Sequence, residues 1–116
     1  MAIFVETRFP HLLVQEIKEN IDKGGIDTWS YDKEGDFTHA PEQWIYHAWI
    51  RPIYEENRVI FAILGRNDKN LSTVDYAVYH GRFVEMLLTH FDSTCKKIEV
   101  TPLASQYDKI TVNSDN

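Results

Sequence analysis

The residues able to do chemistry in this chain are few: five histidines, one cysteine and a dense set of aromatics. His80 is the most informative. On a helix drawn at about 100° per residue, it falls at the centre of an apolar sector, beside Gly81. A buried imidazole costs free energy unless its nitrogens are paired. His80 therefore reads in one of two ways. It is a neutral core residue bonded to a strand carbonyl or a tyrosine hydroxyl, or it faces a pocket as an acid–base or ligand-binding group. In the pocket reading, His47 joins it as the second catalytic candidate, and Gly81 allows close approach of a strand or ligand.

The remaining histidines, His11, His39 and His90, do not extend this to a metal site. No pair has the i,i+4 spacing of a helical zinc motif, and no Cys–His spacing resembles a zinc finger. His80 and His90 point in helical directions about 80° apart. Asp32 to Asp36 superficially looks like a calcium loop but lacks the further ligands, so a hairpin turn is expected there. Cys95 has Lys96 and Lys97 beside it, a setting that lowers a thiol pKa, but no nucleophile signature surrounds it. Gly65 stands alone, outside any phosphate-binding glycine pattern. Neither a metal nor a cofactor is expected.

The aromatics form the other signal. Trp29, Tyr31, Phe37, Trp44, Tyr46 and Trp49 crowd together, with His39 and His47 among them. They either fill a small core or present a binding surface. In the surface reading, Trp29, Tyr31, Trp44, Trp49 and His39 contact a ligand or partner. Asp27, Asp32, Glu34, Asp36 and Glu42 then supply an acidic rim, which suits a basic protein partner. No motif carries a resemblance to a known family.

These candidates need elements to hold them. Residues 2–6 read as a short strand rich in β-branched and aromatic side chains. Pro10 suits a first helical position. Phe9, Leu13, Ile17 and Ile21 then draw one apolar stripe, and Gly24 and Gly25 close the helix. Residues 26–32 read as a strand, 33–36 as a turn using Gly35, and 37–39 as the hairpin return. Residues 44–51 read as a strand, with Trp44, Tyr46, Ala48 and Ile50 on one side and Ile45, His47, Trp49 and Arg51 on the other. Pro52 belongs at a strand end or on an edge. The nearly continuous apolar run 58–65 belongs in the middle of the sheet.

The second helix is the firmest element. Ser72 caps it, Asp75 favours its positive end, and it runs to about Phe91. Asp75, Arg82, Glu85, Thr89 and Asp92 form a narrow polar sector. Tyr76, Ala77, Val84, Leu87, Leu88 and Phe91 lie opposite, a pattern for a helix embedded against a sheet. Residues 96–102 and 108–112 read as closing strands.

The order β-α-β-β-β-β-α-β implies an α+β fold, with one domain over residues 1–112 and a frayed tail at 113–116. A largely antiparallel sheet of four to six strands would carry both amphipathic helices on one face. The length of 116 residues suits one domain. Eighteen acidic residues against twelve basic ones give a net charge of −6. That disfavours nucleic acid and anionic membranes as partners. It suits a basic protein or a cationic ligand. A single cysteine excludes an intrachain disulfide, and neither a leader nor a span of about 20 apolar residues is seen. The cytoplasm is the expected compartment. Sheet edges in so small a domain offer a route to homodimers. The leading expectation is a soluble, non-enzymatic protein-binding or regulatory module. The alternative is a small-molecule-binding domain or enzyme with a histidine-containing pocket between the second helix and the sheet.

Overall fold

A computed structural model describes residues 1–110. Its elements run β1 (Ile3–Glu6), α1 (Pro10–Asp22), β2 (Trp29–Tyr31), β3 (Phe37–His39), β4 (Ala48–Tyr54), β5 (Arg58–Gly65), α2 (Thr73–Phe91) and β6 (Lys97–Val100). The strands form one sheet in the spatial order β2-β3-β4-β5-β1-β6. Every neighbouring pair of strands is antiparallel. The architecture is α+β, with both helices on one face of the sheet.

Alternation explains which face they cover. Ile3 and Val5 of β1, Ile50 of β4 and Val59, Phe61 and Ile63 of β5 share a core with Leu13 and Ile17 of α1 and Tyr79, Phe83 and Leu87 of α2. Phe83 is the aromatic hub, with ring centroids 5.0 Å from Trp29, 5.7 Å from Phe37 and 4.7 Å from Phe61. Val59 to Ile63 are all fully buried, as expected for a central strand. The β2–β3 hairpin turns through Gly35 at φ 84, where the Asp36 N–H donates to the Asp32 carboxylate. That geometry is an ordinary turn.

The second helix starts as expected: Ser72 Oγ accepts from the Asp75 N–H at 3.0 Å. Its buried stripe is rotated from the expected one. Tyr79, Phe83 and Met86 are buried, whereas Leu88 is exposed. Gly81 is exposed, and a Cβ built there would meet nothing within 4 Å, so it allows no close approach. On α1, Leu13 and Ile17 are buried, but Phe9 sits at the N-cap outside the helix and is exposed.

The expected strand at 44–51 is corrected most. Its first half is a compact turn, and β4 begins only at Ala48. Trp44 and Ile45 N–H groups both donate to the Pro41 carbonyl, and the His47 N–H donates to the Trp44 carbonyl. Tyr46 takes φ 63, a conformation an L residue adopts only when held. Its N–H is held by Thr38 Oγ1 at 3.1 Å. Pro52 lies inside β4 rather than at its end. It is tolerated because the registered β3–β4 pair is Phe37 opposite Ile50, so the sheet on that side has run out before Pro52. Of the expected strand at 108–112, residues 111–112 lie outside the described residues, as does the 113–116 tail. Lys109 forms one parallel bridge with Leu64. Among the described residues, no helix is long and apolar enough to cross a membrane.

Candidate functional site

His39 ends β3, directly opposite Trp29 across the hairpin. It is 4% exposed, and its ring packs on Trp29 with centroids 4.7 Å apart. The hairpin delivers the Thr28 carbonyl to this ring. That oxygen accepts the Ala40 N–H at 2.7 Å and lies 2.8 Å from His39 Nδ1. A carbonyl oxygen only accepts, so Nδ1 must carry the proton. Burial pushes the imidazole pKa below its usual value, against the opposing effect of the Thr28 bond. The ring is therefore neutral at neutral pH, and Nε2 carries a free lone pair. Among the described residues Nε2 has no hydrogen-bond partner, yet it is not among the buried atoms sealed without one.

The open side of His39 is a cleft of about 400 Å³ between α2 and the segments that flank the β2–β3 hairpin. Trp44 and Pro41 form one wall. Asp27 and Thr28 line the rim beside Ile26. Met86 and His90 come from α2, as do Arg82 and Glu85. Arg82 Nη1 pairs with Glu85 Oε2 at 3.1 Å, one helical turn apart. The cleft thus combines an aromatic wall, an acceptor imidazole, the Asp27 carboxylate, which has no bonded partner among the described residues, and the Arg82–Glu85 pair.

Trp44 is set in place by a hydroxyl network beneath it. Tyr79 Oη donates to the Trp44 carbonyl and lies 3.0 Å from Thr38 Oγ1. Thr38 Oγ1 lies 3.0 Å from the Ala48 carbonyl and accepts from Tyr46 N–H. Each hydroxyl has one proton. With Tyr79 committed to Trp44, the Thr38 proton serves Ala48 or the Tyr79 oxygen. Burial pushes the Tyr79 phenol pKa up, which keeps it a donor.

The other expected site residues lie elsewhere. His80 is buried at 4% exposure, and among the described residues its Nε2 has no hydrogen-bond partner. Burial pushes its pKa down to about 4, helped by the Met1 ammonium and opposed by Asp108 and backbone carbonyls. Around it the chain start and the segment after β6 close the structure. The Met1 ammonium donates to Thr101 Oγ1 at 3.0 Å, and Asp108 accepts from the Ile63 N–H at 3.0 Å. His80 does not line the cleft. His47 lines a separate recess of about 70 Å³ with Arg66, Lys69 and Asn70. There its Nδ1 lies 3.0 Å from the Asp75 carboxylate. An aspartate so placed orients the ring, with Nδ1 as donor.

The five residues expected on one aromatic surface are not brought together. Trp29 is 1% exposed, within the core. Tyr31 packs toward α1, its hydroxyl bonded to Asp22 at 2.9 Å and its ring under Lys18 Nζ at 5.4 Å. Trp49 lies on the helix-free face beside Arg51, whose guanidinium grips Asp36 at 2.9 and 2.8 Å. Only Trp44 and His39 share a site. Cys95 is also placed differently from its lysine-rich setting: burial and Asp92 push its thiol up to about 11, the reverse of activation. Among the described residues, no group of three or more His, Cys, Asp or Glu side chains is arranged to hold a metal ion.

Sequence reasoning missed Arg82 and Glu85 as site residues because they fall in the polar sector of α2, which reads as solvent-facing. It missed Thr28 because its role is carried by its carbonyl, which no residue type reveals. In comparison with known proteins, the chain matches no family model, no curated protein and no solved structure.

Proposed function

We propose that this protein is a small-molecule-binding domain whose site is the cleft between α2 and the β2–β3 hairpin. One observation carries the reading. His39 is nine-tenths buried, its tautomer is set by Thr28, and its unpaired Nε2 lines an open cleft. Nε2 is not sealed, so a ligand donor that replaces water there makes a directed hydrogen bond to a ring already fixed in orientation and tautomer. Trp44 supplies a flat apolar surface in the same cleft, the usual combination of a concave site with few convergent polar groups.

The same lone pair makes His39 able to accept a proton from a bound ligand, so the site is also compatible with acid–base chemistry. A fragment panel of N–H and O–H donors, followed by amide chemical-shift mapping, tests the reading. Binding should perturb Thr28, His39, Trp44 and Thr89. Hits that map only to the helix-free face, or no hits at all, contradict it.

A second reading, a protein-binding or regulatory module, has one specific observation in its favour. Tyr46 is 58% exposed at the tip of a turn that hydrogen bonds hold in a strained conformation. Such strain is often retained for function. The chain's net charge of −6 favours a basic partner. Loss of partner binding on Tyr46→Ala, with fragment binding unchanged, would favour this reading over the cleft.

A further inference from the structure

We infer that the cleft selects cationic N–H donors, an amidinium, guanidinium or protonated amine carried on a small flat body. The inference rests on the cleft being a binding site and adds the class of ligand.

Three features of the cleft agree on this class. First, the base of the cleft offers an acceptor. Nδ1 of His39 is committed to the Thr28 carbonyl at 2.8 Å, so the neutral ring presents only the Nε2 lone pair. An anion placed against that lone pair would be repelled, and it would find no donor on the ring. A bound N–H donor makes a directed hydrogen bond there. That bond is stronger if the donor is charged.

Second, the formal charge of the lining is negative. Asp27 and Glu85 stand against Arg82. Arg82 is held by Glu85, with Nη1 at 3.3 and 3.1 Å from its two oxygens. Among the described residues no donor or cation is bonded to the Asp27 carboxylate, which leaves it as the counter-charge for a ligand. The chain as a whole is also anionic at −6, which raises the local concentration of cations rather than anions.

Third, the wall is aromatic. Trp44 lines the cleft beside His39, and tryptophan gives the strongest cation–π partner among side chains. The opening of about 400 Å³ suits one ring-sized group and its charged head. The size favours a free small molecule over a whole peptide segment.

The test uses isosteres that differ in charge. Benzamidinium, benzamide and benzoate share one ring and one shape. Each is titrated into the ¹⁵N-labelled full chain while amide shifts are followed. Benzamidinium should bind about tenfold more tightly than benzamide through its charge-assisted bond and cation–π contact. Benzoate should bind more weakly still. The shifts should centre on Thr28, His39 and Trp44.

His39→Phe should reduce benzamidinium binding by tenfold or more. Asp27→Asn, at an exposed rim position, should remove most of the preference over benzamide and guards against a folding defect in the His39 variant. Agmatine and a capped arginine tripeptide then compare a free guanidinium with a protein-borne one. Tighter binding of the tripeptide overturns the small-molecule occupant. Benzamide or benzoate binding at the same residues as tightly as benzamidinium overturns the cationic class but leaves the cleft as a ligand site. If none of the three probes perturbs those residues, both the ligand class and the binding reading fall.

Discussion

His39 and His80 are both 4% exposed, yet they are chemical opposites. The Nε2 of His39 opens onto a cleft, while that of His80 is buried with no hydrogen-bond partner among the described residues. Both pKa values are lowered by burial. The difference lies in what surrounds them. A hairpin carbonyl selects one tautomer of His39 and directs its remaining lone pair toward open space. Around His80 the chain start and the segment after β6 close over α2. Burial alone therefore says little about whether a histidine is functional. The partner of its other nitrogen, and the space beyond it, decide.

The largest expected effect is on acid stability, where His80 dominates. His80 has a folded pKa of about 4, below its ordinary value of 6.5. The unfolded chain therefore binds the proton first as the pH falls. Stability should decline from about pH 6.5 and level off below about pH 4, a loss of roughly 3 kcal/mol from this group. His39 shifts in the same direction and adds to the same limb. Chemical denaturation across this range checks it. His80→Leu should remove most of the limb. At neutral pH it should be neutral or stabilising by about 1 kcal/mol, because it replaces an unpaired buried nitrogen. An unchanged limb would mean that His80 is not the buried neutral group described.

A smaller effect tests the opposite region. Tyr79→Phe leaves the Trp44 carbonyl without its donor. The cost should be about 1–2 kcal/mol. Cleft ligands should weaken as Trp44 loosens, while the His80 acid limb stays unchanged. Equal loss at both places would show that the two regions are one cooperative unit.

Much of the scaffold was legible in the chain. The nearly continuous apolar run of residues 58–65 and the helical spacing after Ser72 are local patterns, and local patterns report element type well. The Pro10 start and the glycines after Asp22 marked the ends of α1 for the same reason. The turn at residues 41–47 was not legible, because alternation of aromatic and other residues from Trp44 onward mimics a strand. Pro41 was the available warning, since two N–H groups fold back onto its carbonyl.

The site was legible only in part. A histidine-bearing pocket beside α2 was expected, but from His80 and His47 rather than His39. Helical phase placed His80 inside, correctly, without revealing that the Met1 ammonium and Asp108 would lie near it. The aromatic cluster misled because composition does not say which face each ring takes. Trp29 went to the core and Trp49 to the helix-free face, so the Trp44–His39 pair was all that remained of it.

The tautomer of His39 decides whether the cleft presents an acceptor. Long-range ¹H–¹⁵N correlation of the imidazole at neutral pH reads the protonation of each nitrogen. The ring should be neutral, with the proton on Nδ1 and an acceptor at Nε2 whose resonance shifts when benzamidinium is added. A proton on Nε2, or an imidazolium at neutral pH, would contradict it.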